Sequence, residues 1–132
     1  MSVTEANTHL EIDASLCGEI VVLGEGTAQV ELRTDPRMAA DERGLVHGGF
    51  VFGAADYAAM LAVNDPNVVL GAAKVMFTAP VRVGERVLVR ASVRAQKGRK
   101  HEADVEAHVG TTRVFNGTFS CFVLDNHVLD GK

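Results

Sequence analysis

The chain has 132 residues, 47% hydrophobic and 23% charged, enough for one domain with a real core and too few for two. Its formal net charge of -4 argues against a nucleic-acid or anionic-membrane partner for the surface as a whole. There is no apolar run of about 18 residues, the polar stretch 1–7 carries Glu5 and does not read as a signal peptide, and Cys17 and Cys121 are too few for a disulfide scaffold, so a soluble cytoplasmic protein with free thiols is expected.

Taken in order, residues 1–17 read as an irregular N-terminal segment with one short helical turn over 12–17. Two extended pieces follow at 19–23 and 27–34 around Gly24-Glu25-Gly26. The second alternates Ala28, Val30 and Leu32 with Gln29, Glu31 and Arg33, the pattern of a half-buried strand. Asp35-Pro36 stops it, and residues 37–46 form a loop into the most apolar stretch of the chain. The stretch 49–63 is rich in alanine and free of proline, and it is closed by Asn64, Asp65 and Pro66, which predicts a helix. Four more strands are expected, at 68–79, 86–95, 101–109 and 113–124. The clearest alternation sets Ala103, Val105, Ala107 and Val109 against Glu102, Asp104, Glu106 and His108. Residues 125–132 read as a tail. The expected architecture is α+β, a single domain in which a curled antiparallel sheet of about six strands wraps around one long central helix whose small residues allow close approach.

The chemistry concentrates in His47-Gly48-Gly49-Phe50 and Asp56. Between Arg43 and Asp65, Asp56 is the only formally charged side chain, and a charge in so apolar a run needs a partner, a path to water or a role. On a helix, the seven residues from Gly49 to Asp56 return to nearly the same face about 10 Å further along the axis. Asp56 therefore cannot touch a ligand held at its own helix's first amides. A second, antiparallel copy of the helix would bring one chain's Asp56 to the other's Gly49, which points to a dimer with shared sites.

The sequence resembles the hotdog fold and, within it, the PaaI-like (phenylacetyl-CoA thioesterase type) acyl-CoA thioesterases. The resemblance covers about residues 27–124 and is carried by His47-Gly48-Gly49, then Ala55-Asp56 and Asn64, with Lys74-Val-Met-Phe-Thr-Ala-Pro80 and Val83-Gly84-Glu85 downstream. It implies that Gly49 offers its amide to the thioester carbonyl. Asp56 of the partner subunit would act as nucleophile or general base, and His47 would orient the loop or bind the acyl end. No metal or redox cofactor is implied, coenzyme A being part of substrate and product. The family pattern has an asparagine a few residues before the glycines, where this chain has Asp41, which accepts hydrogen bonds when ionised but cannot donate them.

The substrate-binding set expected from these readings comprises Gly48, Phe50 and Asp41 at the motif, Tyr57, Met60 and Phe77 as candidate acyl-pocket residues beside Phe52, and a basic cluster, Arg94, Lys97, Arg99 and Lys100. The cluster is equally an ordinary hairpin tip, although the phosphates of coenzyme A want Arg and Lys near the mouth of a site. His9, His101, His108 and His127 read as surface residues. The leading expectation is an acyl-CoA thioesterase working as a homodimer, with dimers pairing into a homotetramer. The alternative is a non-catalytic acyl-CoA-binding or sensing hotdog domain. It is supported by Asp41 and by the likeness of residues 74–93 to regulator effector domains, although the residues before Glu19 are too few for a DNA-binding segment.

Overall fold

The structure is a computed structural model that describes residues 5–131; expectations for residues 1–4 and Lys132 lie outside the described residues. Its elements are α1 (Ala14–Cys17), β1 (Glu19–Gly24), β2 (Thr27–Arg33), α2 (Gly48–Val63), β3 (Val68–Phe77), β4 (Arg86–Lys97), β5 (Lys100–Val109) and β6 (Thr112–Val123), with 3-10 turns at Pro36–Met38 and Val128–Gly131. The six strands form one antiparallel sheet in the order β1-β2-β4-β5-β6-β3, curled around α2. This is the hotdog architecture.

The period-two pattern sets the sheet's inner face. Ala28, Val30 and Leu32 of β2 lie opposite Ala91, Val89 and Val87 of β4. Val89 and Ala91 then face Ala107 and Val105 of β5, and Ala103 and Ala107 face Phe119 and Phe115 of β6. All of these side chains are buried. A register slip of one residue would turn every one of them to solvent, so burial itself fixes the pairing. The alternation misses the irregularities in the ladders, which fall at Ile20/Val22, Leu70/Ala72, Val93/Ala95 and Ala107/His108.

Helix α2 sits in the hollow of the sheet and packs mainly across β2 and β4. Ala54, Ala55, Ala58 and Ala59 are completely buried, because a methyl side chain is what lets strands approach a helix closely from several sides. Larger residues anchor it where there is room. Leu61 is fully buried, and its truncation to alanine would cost about 2–5 kcal/mol through lost burial and the cavity left behind. The helix ends at Asn64, whose left-handed backbone (φ 56°) lets its amide close back on the Met60 carbonyl at 2.8 Å.

Two features of the sheet bear on the site. Among the described residues strand β3 pairs only with β6, leaving its other edge open and Met76 and Phe77 exposed. Midway along it, Gly117 of β6 comes so close that a side chain there would lie 2.6 Å from the Lys74 carbonyl oxygen, which accounts for a glycine in an otherwise aromatic and β-branched strand.

Candidate active site

The start of α2 and its middle, at Asp56, open on different cavities, and β3 runs between them. At the first end His47 is the N-cap residue and makes no side-chain capping bond; its own amide donates to the Met38 carbonyl at 2.8 Å. The next bonded amide is that of Phe50, donating to the His47 carbonyl at 3.1 Å. Among the described residues the Gly48 and Gly49 amides meet no acceptor. They are the free donors that every helix start leaves, here with no side chain of their own in the way. A methyl group on Gly49 would sit 3.0 Å from the His47 ring, and one on Gly48 would sit 3.2 Å from Phe77. The cavity at this end has a volume of about 430 Å³ and is lined by Gly48, Val51, Phe77 and the segment 78–81. His47 is exposed, with Phe50 edge-on to its ring at 6.2 Å.

Asp56 opens instead on a cavity of about 400 Å³ at the start of β3, walled by Met60, Val68 and Leu70 from one side and by Thr8, His9 and His127 from the other. Its Oδ1 is buried without a hydrogen-bond partner. Burial with no compensating cation pushes the carboxyl up to about 6. The Cys121 thiol is pushed up to about 12, mainly by its own burial and then by the Asp56 and Glu102 charges. Asp56 and Gly48 therefore line separate cavities in one chain, in keeping with the helical spacing. What the arrangement offers is a proton acceptor near neutrality at one end of β3 and two unused amide donors at a helix N-terminus, where negative charge is favoured, at the other. Among the described residues no group of three or more His, Cys, Asp or Glu side chains gathers in metal-binding geometry.

The other expected site residues are distributed more widely. Met60 lines the Asp56 cavity. Tyr57 is buried and turns toward the N-terminal segment, its ring 6.3 Å from that of His9, and it does not line that cavity. Phe52 stacks on Phe119 at 5.5 Å as part of the core. Phe77 lies over Gly48 and packs edge-on to Phe115 at 5.1 Å. Asp41 is exposed, and its Oδ1 accepts from the amides of Arg43 at 3.0 Å and Leu45 at 3.2 Å, closing the loop that leads to the helix.

The basic hairpin lies beside the C-terminal end of α2, near Val63 and Asp65, and most of its charge is met by neighbouring acids. Arg94 pairs with Glu102 at 3.7 Å and Asp104 at 3.5 Å, Lys100 with Glu102 at 3.1 Å, and Arg99 with Asp125. Lys97 has no acidic partner among the described residues.

Thr8, His9 and His127 were not expected at the site. His9 is half-buried where the sequence reads as a surface position in a ragged terminus. No local pattern marks it, because what brings it to Asp56 is a contact between residues far apart in the chain.

These features define a hotdog domain with a carboxylate on its central helix. The chain belongs to the thioesterase superfamily, whose family model matches residues 43–116. Its structural neighbours include the protein PH1136 from Pyrococcus horikoshii, with 48% identity and a TM-score of 0.97 over 98% of this chain and 100% of that one. They also include the Escherichia coli PaaI protein of the phenylacetic acid degradation operon, with 25% identity and a TM-score of 0.79 over 89% of this chain and 88% of that one. Among curated relatives, a methylthioribose-1-phosphate isomerase of Aquifex aeolicus is 49% identical over 122 residues, 92% of this chain but 27% of that protein. The transcription factor FapR of Shouchella clausii is 33% identical over 107 residues, 80% of this chain and 56% of that protein. The chain thus spans about a quarter of the first relative and little more than half of the second.

Proposed function

We propose that the protein is an acyl-CoA thioesterase that hydrolyses a thioester to a carboxylic acid and coenzyme A. In this reading it is a cytoplasmic homodimer with two shared sites, and coenzyme A is a substrate moiety with no further cofactor required. The observation that carries the reading is the placement of a half-buried carboxyl and free helix amides at opposite ends of one open edge strand. Antiparallel pairing of β3 with its counterpart, about a two-fold near its middle, sets residues 68–70 opposite residues 75–77 of the partner. The Asp56 cavity of one subunit then faces the Gly48-Gly49 helix start of the other. The pairing would also give β3's unused backbone groups partners and cover Met76 and Phe77.

In the assembled site the thioester carbonyl oxygen receives the Gly49 amide. Asp56 of the partner subunit, ionised, takes a proton from water as the water oxygen bonds to the carbonyl carbon. Charge developing on the oxygen is held by the amide and the helix N-terminus. Collapse of the adduct breaks the carbon–sulfur bond, and the proton on Asp56 goes to the departing thiolate. Direct attack by the Asp56 carboxylate on the carbonyl carbon, followed by hydrolysis of the resulting anhydride, uses the same geometry. His47 and Phe50 border the entry, Phe77 and Met60 supply apolar walls, and Lys97 is the hairpin cation available to the nucleotide phosphates.

A thiol-reagent assay over a panel of acyl-CoA substrates, with the oligomer mass measured on the same sample, tests this. Turnover that Asp56→Asn abolishes in a folded dimer supports it, and wild-type turnover in that variant removes Asp56 from the mechanism. A second reading, a non-catalytic acyl-CoA sensor, is favoured by the FapR relatives and by Asp41 being spent on its own loop. Thermal stabilisation by acyl-CoA without thiol release would support that reading instead.

A further inference from the structure

The segment before α1 is fastened to the end of the catalytic helix. The Asn64 side chain accepts from the Asn7 amide at 2.7 Å through Oδ1 and donates through Nδ2 to the Glu5 carbonyl at 2.9 Å. Two residues later the chain bends at His9, which adopts a left-handed backbone conformation (φ 56°). That conformation is unfavourable for a residue with a side chain and is kept where the surroundings impose it. The bend leaves Thr8 buried and turns both side chains to the cavity on which Asp56 opens.

The Thr8 hydroxyl lies 2.8 Å from Nδ1 of His9. A hydroxyl that donates there places the imidazole proton on Nε2, which has no protein partner among the described residues, while Oδ1 of Asp56 is buried and also without one. Two unpaired groups thus border one cavity, and with the Thr8 hydroxyl donating they are complementary, Nε2–H as donor and Oδ1 as acceptor.

We propose that His9 is a positioning residue of this site, donating from Nε2 to a water that in turn hydrogen-bonds the Asp56 carboxylate, with Thr8 setting its tautomer and Asn64 holding its segment in place. The inference rests on Asp56 being the acid-base or nucleophilic group. His9 fixes the orientation of that carboxylate and favours its ionised form. The titratable groups near the pair are His127 on the same cavity, Tyr57 against the His9 ring, and the thiols of Cys17 and Cys121, which sense the Asp56 charge. Burial lowers the His9 pKa, which leaves the ring neutral at neutral pH, as the donor role requires.

The test is a proton-NMR titration of His9 in the wild-type dimer and in Asp56→Asn, with the resonance assigned by its loss in His9→Gln, run beside thiol release. The wild-type midpoint is expected to lie about 0.5–1 pH unit above that of Asp56→Asn, because an opposite charge stabilises the imidazolium. His9→Ala is expected to lower kcat about tenfold or more with KM little changed and to move the acid limb of the kcat profile to higher pH, and His9→Gln, whose amide can still donate, to restore most of the rate. A His9 midpoint unmoved by Asp56→Asn overturns the proposal, as does a His9→Ala enzyme with wild-type kcat and profile. The titration needs no turnover, so the two readings can fail separately. A shifted midpoint in a protein that releases no thiol keeps the pair and sinks the thioesterase. Thiol release that depends on Asp56, with His9 unmoved, does the reverse.

Discussion

Replacing Asp56 with asparagine should make the protein more stable near neutral pH while removing its activity. Burial moves the carboxyl from its ordinary 3.8 to about 6, so between those values the unfolded chain has lost a proton that the folded chain keeps. Stability contributed by this group therefore falls as pH rises through that window and is level above it. Ionising the buried carboxyl costs about 3 kcal/mol at 1.36 kcal/mol per tenfold change in proton affinity. In the dimer the facing helix N-terminus recovers part of this, which leaves an expected gain of about 1–3 kcal/mol for Asp56→Asn, or roughly 3–10 °C in Tm for a domain of this size. Thermal and urea unfolding of both proteins at pH 7.5 and pH 4.5 gives the comparison. A gain at pH 7.5 that shrinks at pH 4.5 is expected. A variant no more stable than wild type at pH 7.5, or equally favoured at both pH values, would refute the claim that burial disfavours the ionised Asp56.

Other consequences are independent of that one. If Asp56 must be ionised to act, kcat/KM should fall about tenfold per pH unit below a midpoint that lies above the ordinary 3.8 and no higher than about 6, and level off above it; a profile flat to about pH 4 contradicts this. Gly117→Ala would place a methyl 2.6 Å from the Lys74 carbonyl oxygen and push β3 off β6, costing about 1–3 kcal/mol in urea unfolding and weakening the dimer in sedimentation. Lys97→Glu should raise KM for acyl-CoA by up to about fivefold, the scale of one exposed charge, and leave a short pantetheine thioester unaffected. Equal effects on both would remove the hairpin from nucleotide binding.

A curled sheet around one helix is legible in the sequence because its signals are local, and the resemblance carried by His47-Gly48-Gly49 and Asp56 adds the hotdog fold. Alternation in β2 and β5, and in β4 apart from Leu88, gives their inner faces directly, and the run of alanines with Asp65-Pro66 beyond it marks a buried helix and its end. Asp56 stands out for the same reason, as one charge in an apolar run. What escapes is everything set by distant contacts. Tyr57 turns toward His9 because the N-terminal segment crosses there, and that crossing depends on Asn64, which by sequence is only a helix terminator. The sequence shows the basic hairpin as a run of cations, but not that β5 and residue 125 bring Glu102, Asp104 and Asp125 against three of them. The bulges at Leu70/Ala72 and Val93/Ala95 leave the apolar alternation on both sides intact in kind and so carry no signal.

The central claim is that each site takes Asp56 from one subunit and the Gly49 amide from the other, and subunit mixing tests it most directly. Asp56→Asn and Gly49→Val, each inactive alone, would be unfolded and refolded together at equal amounts. In a mixed dimer one site carries both defects and the other carries neither. Random pairing makes half the dimers mixed with one intact site each, so thiol release should return to about a quarter of the wild-type rate. Mixed dimers, verified by mass, that stay as inactive as their parents would contradict the shared site.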